Sequence, residues 1–271
     1  APPGTVVNVR HPGPSVGGNT DTQPKLIDLL LAAFAQAVPE RIAAASGGSS
    51  SNFLFGGIHP ETGQYYTNYH FDGMGAGGTI QKDGNDAEIT RHSNCRNTPI
   101  EVFEGRYPFR TLEYRLGHDS GGPGRHRGGM GTVRTMEVTA PEITLSALFD
   151  RAKIAPWGLF GGRSGGLSTL RVRRVGDDQF RTFSEAFGTV SPTKFTNVVL
   201  RQGDVVTYQT PGGGGFGHPY ERPAEQVLQD VRYGWVSPES ARRDYGVAII
   251  QRGRSVELDE AETRHLREAR P

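Results

Sequence analysis

The 271 residues contain one cysteine, four lysines and almost no excess charge, with 30 basic side chains against 29 acidic ones. Cys95 alone cannot close an internal disulfide, which fits a reducing compartment and points to the cytoplasm. A net charge of +1 removes the long-range attraction that nucleic acid or an anionic membrane surface would require. No apolar run approaches the roughly 20 residues of a membrane span. The best candidate, Leu26 to Val38, is too short and lacks the features of a signal peptide. A G-x-x-x-x-G-K-[ST] phosphate loop is missing, and no two of the eight histidines have the spacing of H-E-x-x-H. Repeats of fixed period are absent. The chain also opens on Ala1-Pro2-Pro3-Gly4-Thr5 without Met, so a processed, truncated or split chain is expected.

What is abundant is glycine, 38 residues, together with 18 prolines. That is about a fifth of the chain, where average usage gives roughly 12%. The excess shows no three-residue period, which excludes collagen, and 35% hydrophobic with 9% aromatic residues argues against wholesale disorder. Of the 30 basic residues 26 are arginine, the cation of planar, bidentate contacts, although genome base composition is the simpler cause.

The periodicities predict an α+β fold: a β-rich body of antiparallel or mixed sheet, one N-terminal helix and a helical C-terminal tail. Asp21 or Thr22 reads as an N-cap with Pro24 in the first turn, and Leu26, Ile27, Leu30, Leu31 and Phe34 have helical spacing up to Pro39. Short strands are expected at 53–55, 65–69, 111–116, 132–138, 143–148, 170–174 and 205–208, each bounded by turn residues. No helical pattern separates them, which excludes a doubly wound α/β fold. The domain expectation is a body over 1–218 and a tail over 219–271. In that tail Pro223 and Ser237-Pro238 open helices, and 260–270 forms a charged terminal one.

Several strings carry candidate chemistry. Gly73-Met74-Gly75-Ala76-Gly77-Gly78 matches G-x-G-x-x-G, but no helix follows to hold a pyrophosphate, so close backbone approach is the expected role. Asp119-Ser120-Gly121-Gly122-Pro123 is the string around a trypsin-like nucleophile. Without its upstream His, its buried Asp or disulfides it reads as a tight turn. His70 and Asp72 share one side of a strand, which suits an acid/base pair or a hydrogen-bonded strand end. Cys95 is expected to be buried and inert, although Arg91, His92 and Arg96 could lower a thiol pKa. The donors and acceptors of Asn94, Arg96 and Asn97 suit the orientation of a polar ligand.

Taken in order, the strings resemble the C-terminal half of the hydantoinase B/5-oxoprolinase family, which includes subunits of ketone carboxylases. They include Asn94-Cys95-Arg96-Asn97-Thr98-Pro99-Ile100-Glu101, Asp119 to Gly124 with Arg127-Gly128-Gly129, Pro156 to Gly162, Thr210 to Gly217 and Asp244-Tyr245-Gly246-Val247. The resemblance implies a bacterial, multi-chain, ATP-dependent hydrolase of cyclic amides (hydantoin, 5-oxoproline or lactam). Alternatives are a subunit of an acetone- or acetophenone-type carboxylase and a non-catalytic scaffold. It implies that ATP and Mg are bound by a hydantoinase A-like partner subunit, with a divalent transition metal in a partner chain. It also implies that the N-terminal half of a B-type subunit is missing here and that some apolar surface awaits a partner. The catalytic expectation is His70 or Asp72 as proton acceptor, with Asn94, Arg96 and Asn97 binding substrate and no metal ligand in this chain.

Overall fold

A computed structural model of the chain describes residues 1–5, 7–13, 17–89, 93, 95–253 and 255–269. Alternating inward apolar residues build two antiparallel sheets that face each other. The first has the order β2 (Tyr65–His70), β1 (Asn52–Ile58), β5 (Glu142–Leu148), β8 (Lys194–Arg201). The second has β3 (Phe109–Leu116), β4 (Thr132–Val138), β9 (Val205–Gln209), β6 (Thr169–Arg173), β7 (Arg181–Thr182). Every pairing between these strands is antiparallel, as the absence of helical patterns predicted. Phe53, Phe55, Ile143 and Leu145 from one sheet meet Met136, Val138, Val206 and Tyr208 from the other, and this is the main core. Such burial is the dominant favourable term in folding.

The glycines form a second layer at the end of the sandwich where β2 and β9 finish and β1, β4 and β6 begin. Its hub is Thr210–Gly217. Gly212 and Gly215 donate to Gly166 and Arg163; Gly213 and Phe216 donate to Gly129 and His126; Gly214 donates to Ala45. Donors three residues apart thus reach the same neighbouring segment, which is the three-residue turn of a polyproline II chain. The period absent from the sequence appears in the hydrogen bonding. Glycine is needed because a Cβ at Gly212 would stand 1.7 Å from the Ser120 carbonyl oxygen.

The N-terminal helix α1 (Gly18–Phe34) starts before the predicted cap, and Asp21 is a helical residue rather than the cap. Tertiary partners outbid the local amides: Ser49 Oγ donates to its carboxylate at 2.5 Å and Asn52 donates to the other oxygen. Pro24 lies inside the helix and leaves the Thr20 carbonyl without its helical donor; Ser50 Oγ takes it at 3.2 Å. The helix is inside out. Asp21 and Asp28 are buried, while Leu29, Leu30 and Phe34 are 64%, 59% and 56% exposed.

Two short helices, α2 (Ile100–Arg106) and α3 (Phe183–Phe187), lie in the body where only one helix was expected. The C-terminal region holds α4 (Ala224–Arg232), α5 (Pro238–Tyr245) and α6 (Glu260–Glu268), with Ser237 capping α5 as predicted. It is not wholly helical, because β10 (Ala248–Arg252) and β11 (Ser255–Asp259) form a hairpin. Its own small core is Val227, Val231, Ala241, Tyr245 and Val247. No described helix is long and apolar enough to cross a membrane.

Two glycine substitutions separate close approach from simple helix propensity. Gly212→Ala should cost more than about 3 kcal/mol or abolish folding, because backbone must move. Gly105→Ala, in α2 with nothing within 4 Å of the added methyl, should be neutral or stabilise by up to about 1 kcal/mol. Denaturant unfolding of both variants checks the contrast.

Candidate functional site

Three of the five sequence-predicted residues meet at the junction of sandwich and glycine layer. His70 closes β2 and Asp72 follows it, so both point to one side, with His70 Nε2 3.7 Å from Asp72 Oδ2. Asp72 is fully buried and its carboxylate is filled. Arg134 binds it bidentately at 2.8 and 2.9 Å, Tyr208 donates to Oδ2 at 2.5 Å, and Tyr114 donates to Oδ1 at 3.2 Å. Asn97 joins from the exposed side by donating to the Tyr114 hydroxyl. Arg96 is exposed in the same irregular segment. Asn94 lies outside the described residues.

Burial alone would raise the Asp72 pKa. The facing His70 ring and the Arg134 guanidinium overcome it and hold the carboxyl well below the usual carboxylate range. Burial and the Asp72 charge push Tyr114 up to about 12, and Tyr208 well above its ordinary value. Both phenols therefore stay protonated donors at neutral pH. A carboxylate with four donors suits a fixed charge better than a proton acceptor. His70 Nε2 and Arg134 Nη1, by contrast, are buried without a hydrogen-bond partner.

Sequence reasoning missed Arg134, Tyr114 and Tyr208. A signal for Arg134 existed: it shares the inward phase of β4 with Met136 and Val138, and a buried guanidinium demands a carboxylate. Two other expectations resolve here. Cys95 is exposed, not buried, because its segment runs over the surface, and its Sγ lies 2.8 Å from Ser93 Oγ. Ser120 is buried, with its hydroxyl donating to Gly117 O at 2.6 Å and accepting from Gly131 N. That tight turn leaves no free nucleophile. Four amides of the Gly73–Gly78 segment are likewise used, those of Met74, Gly75, Ala76 and Gly78: Gly75 donates to Pro211 O and Gly78 to Gly214 O, so they bind backbone, not phosphate.

A second polar cluster lies beside the first. Asp21, held by Ser49 and Asn52, has its pKa raised to about 6, chiefly by burial. Nearby, Lys25 and Lys194 both pair with Asp150. Asp28 accepts from Ser46 and from Arg151 at 3.2 Å. Among the described residues no three His, Cys, Asp or Glu side chains converge as a metal site would.

The doubled sheet and the ordered strings define a class of chain that recurs as one part of longer proteins. The sequence model of the Hydantoinase B/oxoprolinase family matches residues 1–219, and the chain belongs to that family. It is 34% identical over 271 residues to the B-type chain of a putative D-/L-hydantoinase from a Pseudomonas species, covering 98% of this chain and 42% of that one. The crystal structure of ATP-dependent caprolactamase from Pseudomonas jessenii superposes with a TM-score of 0.80 at 29% identity, covering 99% of this chain and 46% of that one. Acetone carboxylase in its nucleotide-free structure shares the fold, with a TM-score of 0.70 at 22% identity over 87% of this chain and 34% of that one. The chain thus spans less than half the length of these relatives.

Removing one partner of the buried pair should be costly and removing both should not. Asp72→Asn should destabilise by about 3–5 kcal/mol, while Asp72→Leu with Arg134→Met should recover most of that loss, measured by denaturant unfolding. Asp21 gives a pH signature of opposite sign to a salt-bridged acid. Its folded pKa lies above the unfolded one, so the native state holds the extra proton and stability falls as pH rises from about 4 to about 6. Carboxyl-carbon NMR should place the Asp21 midpoint near 6, and Asp21→Asn should flatten that limb of the stability curve.

Proposed function

We propose that this chain is part of a multi-chain, ATP-dependent hydrolase of cyclic amides and completes the substrate site while a partner chain binds ATP. The observation that carries the reading is the likeness, over nearly the whole chain, to a hydantoinase component and to an ATP-dependent caprolactamase. The carboxylase alternative has likeness of fold alone. Amide resonance makes the carbonyl a poor electrophile, and ATP bound with Mg on a hydantoinase A-like partner would supply the phosphoryl group that activates it. A divalent transition metal, on this reading, also sits in a partner chain.

The residues of this chain would recognise the ring. Because Tyr114 donates to Asp72, its oxygen accepts from the Asn97 amide, and the Asn97 carbonyl is left facing outward. Asn97 Oδ1 would accept the amide N–H, Arg96 would hold an anionic group, and Asn94 would add a further contact. His70 would be the proton acceptor through Nδ1, and Asp72, 3.7 Å from its Nε2, would position it. The outward leucine face of α1 would dock on the N-terminal half of a B-type subunit, where burying Leu29, Leu30 and Phe34 would stabilise the contact.

Purification of the complex from its source tests this directly. ATP turnover should depend on a hydantoin, 5-oxoproline or lactam and not on bicarbonate. His70→Gln should lower kcat about 100-fold with little change in KM, and Asn97→Ala should mainly raise KM. Turnover that requires a ketone and bicarbonate would select the carboxylase, and unchanged kinetics in both variants would leave the chain a scaffold.

A further inference from the structure

Of the four lysines in the chain, three line a single cleft. Lys25 from α1, Lys153 and Lys194 surround a space of about 430 Å³ whose apolar walls are Ala152, Ile154 and Pro192. In a chain that otherwise uses arginine for its cations, this concentration of compact, three-donor ammonium groups sets the cleft apart.

Two of the three ammonium groups, those of Lys25 and Lys194, are held in place by partners. Lys25 Nζ donates to the carbonyls of Asp21 and of Gly48, the latter at 3.1 Å, and pairs with Asp150. Asp150 has its backbone N–H fixed by Ser49 Oγ at 3.0 Å and accepts Lys194 as well. One carboxylate therefore serves two ammonium groups. Lys153 forms no ion pair among the described residues, and the Arg151 guanidinium on the wall is matched by Asp28. Even with Asp21 counted as fully ionised behind Lys25, the lining keeps a net positive charge. Lys194 uses one of its three donors on Asp150 and turns the others to the cleft or solvent. Phe149 is fully buried and separates the cleft from the Asp72 cluster, its ring edge-on to Tyr208 at 5.4 Å.

We propose that this cleft binds a small organic anion, a carboxylate or phosphoryl head held by Lys153 and Lys194 with a short apolar body against Ala152, Ile154 and Pro192. The cations supply the attraction and the walls supply the selectivity for an anion that carries hydrocarbon over one that does not. The site shares no residue with the Asp72 cluster, so it stands or falls independently of the hydrolase reading.

Calorimetric titration of the purified protein at fixed ionic strength, with hexanoate, hexyl phosphate, inorganic phosphate and 1-hexanol as probes, decides the matter. Hexanoate or hexyl phosphate should bind at least about tenfold more tightly than inorganic phosphate, and which of the two is tighter identifies the head group. 1-Hexanol should give no saturable heat. Lys153→Ala, which breaks no ion pair among the described residues, should weaken the preferred anion about fivefold or more. Lys194→Ala should do the same while Lys25 still neutralises Asp150. Lys82→Ala, outside the cleft, should leave affinity unchanged, and circular dichroism should confirm that all three variants remain folded. Absence of binding by both organic anions, wild-type affinity retained in both the Lys153 and the Lys194 variant, or hexanol binding as tightly as hexanoate would overturn the proposal. Inorganic phosphate binding as tightly as hexyl phosphate would overturn the role of the apolar walls.

Discussion

Backbone packed on backbone with nothing between is the constraint on which the rest of this molecule depends. A Cβ at Gly75 would lie 1.8 Å from Gly129 O, and one at Gly213 would lie 1.9 Å from Ala76 O. Collagen needs glycine at every third residue because only one side of each chain faces the crowded axis. The hub at 210–217 is surrounded on all its sides, so glycine occupies successive positions and the sequence carries no period. Such a layer buries little side-chain surface and loses the most conformational freedom on ordering. Its compensation is direct peptide-to-peptide hydrogen bonding from segment to segment. Apolar burial comes from the adjoining sandwich.

The junction between these two layers is where buried charge collects. Asp72 with Arg134, Asp28 with Arg151, and Asp21 with Ser49 and Asn52 all sit where strands turn into glycine segments. A buried ion pair is no more stabilising than well-packed hydrocarbon of the same volume, but losing one member is expensive. Its effect is therefore on geometry. Asp72 ties β2 to β4 and β9 through Arg134 and Tyr208, and Asp21 and Asp28, two turns apart, tie α1 to the 46–52 segment. With its acids inward, α1 has no choice but to turn its leucines out.

Strands with clean two-residue alternation, such as β4 and β5, were legible from sequence almost to the residue. β8 was not, and the reason is physical. Its pairing with β5 shifts register between Leu145 and Ala147, and Asn197 takes a positive φ of 56°. Phe195 and Val198 are therefore both buried although three residues apart, which breaks the alternation that marks a strand. α1 was legible as a helix but not in its orientation, because leucine spacing normally marks the inward face. The His70 and Asp72 juxtaposition followed from strand geometry alone. What closes around them came from β4, β3 and β9, and no local pattern joins positions 72, 114, 134 and 208.

The polarity of this cluster propagates outward in a fixed sense. With Arg134 holding Asp72 ionised, the only stable state of Tyr114 is the neutral phenol, and its proton is committed to Asp72. The phenol oxygen then has only acceptor capacity to offer, so Asn97 must present its NH2 to it and its carbonyl to the outside. A buried charge thus fixes the orientation of an exposed amide through three successive hydrogen bonds, from Arg134 to Asp72 to Tyr114 to Asn97. Reversing any link, for example by protonating Asp72, would free the phenol proton and let Asn97 rotate. The lowered Asp72 pKa keeps that reversal well below neutral pH, so the surface acceptor is constant there.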